Sequence, residues 1–108
     1  MKVLVTGGAG FIGSNLAKEL LSQDYSVKIL DSFITGKKEN ISGILNHIEL
    51  IDGDIRDIDC VSKAAQDVEI IYHLAAIPSV PYTIKNPIET NEIHVNGTLN
   101  ILDASIKN

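Results

Sequence analysis

A single cysteine, Cys60, stands in the 108-residue chain. One thiol excludes an internal disulfide and suits a reducing, cytoplasmic setting. Cys60 falls in a helical pattern with no base near it in sequence, so it reads as packing rather than as a nucleophile. Tryptophan is absent, and the three prolines, Pro78, Pro81 and Pro87, share one short stretch. Positive charge is also scarce. Nine Lys and Arg against fourteen Asp and Glu leave a net charge of −5 with no basic run, which argues against nucleic acid as a partner. No apolar run reaches membrane-spanning length, and Met1 leads directly into a strand without a signal peptide, so no membrane association is expected. No metal-ligating set is expected either. What remains is 44% hydrophobic, enough for the core of one domain.

Strand-like and helix-like segments alternate along the chain. Val3, Leu4 and Val5 read as a buried strand. Phe11 to about Gln23 follows as a helix, with Ile12, Leu16 and Leu20 on one face. Tyr25–Asp31 is a second strand. Residues 32–46 form a loop with a helical turn near Asn40–Leu45, and His47–Asp52 is a third strand. Asp57–Gln66 reads as a helix with Asp57 placed to cap its N-terminus. Val68–Leu74 is a fourth strand, nearly continuous in apolar residues. The proline-bearing residues 75–87 predict an irregular loop, and a long helix follows over 88–106. This last helix carries two apolar stripes, Val95-Leu99-Leu102-Ile106 and Ile93-Gly97-Ile101-Ala104. One can cover a sheet, and the other needs a further partner, either more of the same protein or a second copy in a homodimer.

Between the first strand and the first helix lies Thr-Gly-Gly-Ala-Gly-Phe-Ile-Gly, residues 6–13. Gly7 allows a sharp turn, Gly10 lets phosphate oxygens approach bare backbone, and Gly13 lets the helix pack close to the strand. The free N–H groups and dipole at the helix start favour a pyrophosphate. Asp31, at the end of the next strand, is placed to accept hydrogen bonds from the hydroxyls of an adenosine ribose and to repel a 2′-phosphate, favouring NAD over NADP. Two features keep alternatives open: Asp31 could cap a loop, and Lys37 and Lys38 could tolerate a phosphate. Right-handed β-α-β crossovers give a Rossmann-type parallel sheet of order 3-2-1-4. Its ligand crevice opens where the order reverses, and the glycine turn, Asp31, Asp54 and Ala75–Pro78 all fall there.

Four segments, residues 6–13, Gly53-Asp54-Ile55-Arg56-Asp57, His73-Leu74-Ala75-Ala76 and Gly97-Thr98-Leu99-Asn100, together resemble the extended short-chain dehydrogenase/reductase family, and within it the NAD-dependent nucleotide-sugar epimerases and dehydratases. The resemblance implies that Phe11 and Ile12 approach the pyrophosphate through backbone N–H groups. Asp31, Ser32 and the turn to Gly36 would line the adenosine ribose, Asp54 and Ile55 the adenine. Leu74, Ala75 and Ala76 would form the floor under the nicotinamide half. Taken alone, Asp54 reads equally as a turn carboxylate, and Ala75-Ala76 as strand-end packing. One departure stands out. The family usually carries Asn three residues before the helix glycine, reaching toward the nicotinamide region, and here that position is His94, which otherwise reads as a surface histidine. His73 reads as structural, and His47 has no functional role.

The family's chemistry needs a Tyr-x-x-x-Lys pair and a Ser or Thr nearby. Four residues after Tyr25, Tyr72 and Tyr82 stand Ile29, Ala76 and Asn86, and Tyr82 and Lys85 are one residue too close. The resemblance, which extends to the 4-epimerases of UDP-glucose/UDP-galactose and their N-acetyl forms, implies the NAD-binding portion, residues 1–108, of such a longer enzyme, and the missing pair makes it incomplete after its fourth strand and following helix, and inactive by itself. A 4,6-dehydratase or reductase of the same family, or a non-catalytic NAD-binding module, are the alternatives. The fourth strand should present an open edge.

Overall fold

Apolar side chains alternate along the two central strands, so the sheet they form has a core on each face. The computed structural model describes all residues, Met1–Asn108. Four parallel strands, β1 (Lys2–Thr6), β2 (Ser26–Asp31), β3 (Ile48–Asp52) and β4 (Ile70–His73), lie in the order β3-β2-β1-β4. This is the Rossmann-type arrangement that the alternating pattern predicts. Val3, Val5, Val27 and Ile29 point to one face, where Ala17 and Leu20 of helix α1 (Phe11–Ser22) cover them. Leu4 and Leu30 point to the other, under Val61 and Ala64 of α2 (Ile58–Ala64). Lys28 interrupts the apolar run of β2 yet is buried. Its stem fills space in the core, while Nζ donates to the Gln66 carbonyl at 3.1 Å and lies 3.6 Å from Glu49.

As expected, Asp57 caps α2, its Oδ1 accepting from the backbone N–H groups of Asp59 and Cys60. The turn expected near Asn40–Leu45 is longer, a 3₁₀ helix over Lys38–His47, and β4 is shorter than Val68–Leu74. The proline stretch is a larger correction, because residues 75–87 are not wholly irregular. Helix α3 (Val80–Lys85) begins at Ser79, whose Oγ accepts from the Tyr82 N–H, and carries Pro81 in its first turn; Pro87 opens α4 (Pro87–Asn91). In a first turn the missing N–H of proline costs no hydrogen bond, so these prolines start helices rather than prevent them.

The long helix over 88–106 is also interrupted. Six residues of π-helix, Glu92–Gly97, join α4 to α5 (Thr98–Lys107). Its two stripes separate as the sequence suggests. Ile93, Gly97, Ile101 and Ala104 are buried, whereas Val95, Leu99, Leu102 and Ile106 are exposed. β4 pairs only with β1, which leaves its other edge open.

Leu4 sits wholly buried in the central strand and packs with residues from both α2 and α5. Leu4→Ala should lower stability by about 2–5 kcal/mol. In urea unfolding this appears as a lower midpoint with an unchanged slope.

Candidate functional site

β1 ends at Thr6, and the chain turns at Gly7 with φ +71°, in the left-handed region. A Cβ there would stand 2.8 Å from the Ala75 nitrogen, so the first turn and the segment after β4 touch backbone to backbone. A Cβ at Gly13 would overlap the Gly7 carbonyl oxygen. Gly10 differs from both. Its only neighbour in that direction is the Gly7 oxygen at 3.3 Å, and beyond it is open space. Two glycines therefore permit packing and the third keeps a volume clear. α1 starts beside that volume with Gly10 at its N-cap, no side-chain cap and no acidic residue in its first turn. Its positive end is available to an anion.

Asp31 is nearly buried, and its carboxylate is held by backbone alone. Oδ2 accepts from Ala9 N–H at 2.9 Å and Oδ1 from Phe33 N–H at 2.7 Å. No ion pair links it to Lys37 or Lys38, and the Lys38 ammonium lies over the Phe33 ring at 5.4 Å. The carboxylate rests against Gly36, where a Cβ would come within 2.8 Å of Oδ2. Asn40 braces the glycine turn from outside by donating to the Ala9 carbonyl at 2.8 Å.

Asp54 and Arg56 form a two-pronged pair, with Nε at 3.0 Å and Nη2 at 2.6 Å from Oδ2. The guanidinium holds the Asp54 carboxyl below the usual carboxylate range and is itself pushed up. Ile55 occupies the space left by the missing side chain of Gly97, and Asn100 Nδ2 donates to the carbonyls of Ile55 and Arg56 at 2.9 and 3.2 Å. Gly97 and Asn100 thus support the 53–57 turn from behind. Thr98 serves β4 instead.

The segment after β4 is anchored by Thr6. Its Oγ1 accepts from the N–H groups of Leu74 (3.0 Å) and Ala75 (3.1 Å) and lies 2.7 Å from His73 Nδ1. With both lone pairs taken, the hydroxyl proton goes to His73 Nδ1. Thr98 donates to the His94 carbonyl at 2.7 Å and so accepts, at 3.0 Å, from His73 Nε2. His73 is therefore neutral with its proton on Nε2.

These turns enclose one crevice of about 370 Å³. From the first turn it is lined by Gly7, Gly10, Phe11, Ile12 and Gly13, and beyond β2 by Asp31, Ser32 and Gly36. Asp54 and Ile55 form another wall, and Leu74, Ala75 and Ala76 a third. His94 is not among the lining residues; its Nε2 accepts from Ile77 N–H at 2.9 Å, behind the wall. Ile34, Thr35, Ile77, Pro78 and Ile93 also line the crevice. Ile34 and Thr35 lie inside the turn from Ser32 to Gly36, whereas Ile93 is marked in the sequence only as part of an apolar helix stripe and reaches the crevice from the π-helical segment. No Lys, Arg or His lines the crevice, so any anion there meets backbone N–H groups rather than a cation.

Outside the crevice, neither remaining reactive side chain is activated. Tyr82 donates to Glu89 Oε1 at 2.7 Å, which raises its pKa. Burial, followed by the Asp57 charge, pushes the Cys60 thiol up, and Sγ packs against Gly53.

The family model described as "NAD dependent epimerase/dehydratase family" matches residues 3–108. A putative UDP-glucose 4-epimerase of Methanocaldococcus jannaschii is 44% identical over 106 residues, covering 97% of this chain and 34% of the relative. A UDP-N-acetyl-alpha-D-glucosaminuronate decarboxylase of Bacillus cytotoxicus is 39% identical over 106 residues, covering 98% of this chain and 33% of the relative. Among solved structures, a Thermus thermophilus UDP-glucose 4-epimerase in complex with NAD superposes with a TM-score of 0.89 at 37% identity, covering 99% of this chain and 34% of that one. The chain spans about a third of the length of these proteins.

Burial holds the His73 pKa below its ordinary 6.5. The unfolded chain then binds a proton at a pH where the folded chain does not. The stability due to neutral His73 is complete above pH 6.5 and is lost as pH falls toward the folded value. Urea unfolding should show lower stability at about pH 5.5 than at about pH 7.5, and nitrogen NMR should find the His73 proton on Nε2 with a titration midpoint below 6.5.

Proposed function

The chain belongs to the NAD dependent epimerase/dehydratase family, and from that premise we propose that it is the NAD-binding part of a nucleotide-sugar 4-epimerase acting on UDP-glucose and UDP-galactose or their N-acetyl forms. One observation carries the cofactor assignment. The clear volume at Gly10, the uncapped start of α1 and the cation-free carboxylate of Asp31 share one crevice. A pyrophosphate fits the first two, and a ribose diol fits the third.

On this reading Gly7, Gly10 and Gly13 shape the turn, and the N–H groups of Phe11 and Ile12 hold the pyrophosphate. Asp31, with Ser32 and Gly36, takes the adenosine ribose. Asp54 and Ile55 hold the adenine, and the small side chains of Ala75 and Ala76, with Leu74, leave room for the nicotinamide half. When bound, NAD supplies a reversible hydride acceptor for a sugar carbon. Tyr82, the tyrosine nearest a lysine in sequence, is tied to Glu89, and its raised pKa is opposite to what a base requires. The chain alone is therefore expected to bind without turnover.

A second reading, the same portion of a nucleotide-sugar decarboxylase or dehydratase, is supported by the similarity to the Bacillus cytotoxicus decarboxylase and by the epimerase/dehydratase family match. We further assign the chain to the cytoplasm, on the strength of its lone thiol, and read the exposed Val95-Leu99-Leu102-Ile106 stripe as the face that meets a second copy.

Calorimetry should detect NAD binding, with NADP at least about tenfold weaker because its 2′-phosphate meets Asp31; Asp31→Asn should narrow that gap. Gly10→Val meets only the Gly7 oxygen, 3.3 Å from its Cβ, so it should still fold by circular dichroism yet lose most NAD affinity. Unchanged affinity in a folded Gly10→Val chain would sink the assignment of this turn.

A further inference from the structure

The crevice wall after β4 is fastened at two points. At its start, Thr6 Oγ1 accepts from the N–H groups of Leu74 and Ala75. At its end, His94 Nε2 accepts from the N–H of Ile77, itself buried and followed by Pro78, which has no N–H to offer. The first fastening is a hydroxyl, which keeps its proton at any ordinary pH. The second is an imidazole, and it works only while Nε2 carries a lone pair and the ring proton sits on Nδ1.

We propose that His94 is a positioning residue for the crevice wall: through neutral Nε2 it holds Ile77 in place, and its protonation releases that end of the wall and weakens binding of the dinucleotide. The inference rests on the NAD-binding reading above. Protonated, both ring nitrogens are donors, so Nε2–H would face the Ile77 N–H and leave a buried amide without an acceptor. Ile77 and Pro78 both line the crevice, so a displacement there changes its shape.

Charged neighbours do not prevent this. No carboxylate lies within ion-pairing distance of His94. On its own segment Glu92 is 3.6 Å from Arg56, whose other prong is on Asp54 of the β3–α2 turn. On α3 and α4, Tyr82 and Glu89 are bonded to each other. On β4, His73 is linked to the His94 carbonyl only through Thr98.

Two measurements on the 108-residue chain test the proposal. Calorimetry with NAD at about pH 7.5 and about pH 5.5 should show a loss of about five- to tenfold in affinity on acidification, the worth of one buried hydrogen bond. His94→Asn, whose amide oxygen accepts but does not titrate, should bind with little pH dependence. A flat wild-type profile overturns the proposal, as does the same slope in His94→Asn, which retains His73. Independently of any ligand, nitrogen NMR at neutral pH should place the His94 proton on Nδ1, and exchange of the Ile77 amide should accelerate selectively on acidification. A proton on Nε2, or an Ile77 amide indifferent to pH, also overturns it. If NAD does not bind at all, the functional reading fails, and the NMR result still decides the role of His94.

Discussion

The site depends on one close approach. The backbone of Gly7 lies against that of Leu74 and Ala75 with no room for a side chain, and Thr6, the residue before, ties both of their N–H groups to its hydroxyl. That contact joins Thr6 to a residue 69 positions along the chain, and everything at the crevice is referred to it. Gly13 can pack only because Gly7 turns where it does. The tautomer of His73 follows from the lone pairs Thr6 has already committed, and Thr98 completes the chain on the far side. A substitution at Gly7 would therefore combine a strained φ with a backbone collision.

Much of this was legible in the residues, and the reason is local. Val3–Val5, Tyr25–Asp31 and the glycine cluster between them make short-range patterns that fix strand, turn and helix. Right-handed crossover then brings Asp31, Asp54 and Ala75 to one edge of the sheet. The prolines misled because their effect depends on where a helix begins: Pro81 and Pro87 sit in first turns, where a missing N–H is harmless. The π-helical stretch over Glu92–Gly97 left no sequence signal at all. Its consequences, Ile93 on the crevice and His94 behind it, depend on tertiary packing around Gly97 and Ile55. Thr98 and Asn100 belong to the Gly97-Thr98-Leu99-Asn100 motif, yet their work, bracing His73 and the Ile55 and Arg56 carbonyls, becomes visible only in three dimensions.

Charge is distributed with a clear asymmetry. Arg56 faces Asp54 and Glu92, Lys28 reaches Glu49, and Lys107 reaches Asp103, so the ion pairs involve groups outside the first turn and the Asp31 pocket. Inside, Asp31 is satisfied by two backbone N–H groups, and the start of α1 carries no side-chain cap. An anion and a neutral diol can thus be received side by side in the same crevice, Asp31 being bonded to Ala9 of the glycine turn, without a mobile cation to confuse them.

The separation between Thr6 and Ala75 also carries an entropic cost in folding. β1, α1 and β2 can associate through contacts close in sequence, but the β1–β4 pairing must wait until the chain through residue 75 has been drawn back across the sheet, at an entropic cost that grows with the loop enclosed. The crevice wall therefore depends on long-range closure of the sheet, and a chain holding only the glycine turn would lack a second side to grip a ligand. Occupancy of the crevice consequently reports on closure of the whole sheet rather than on the local order of its most recognisable loop.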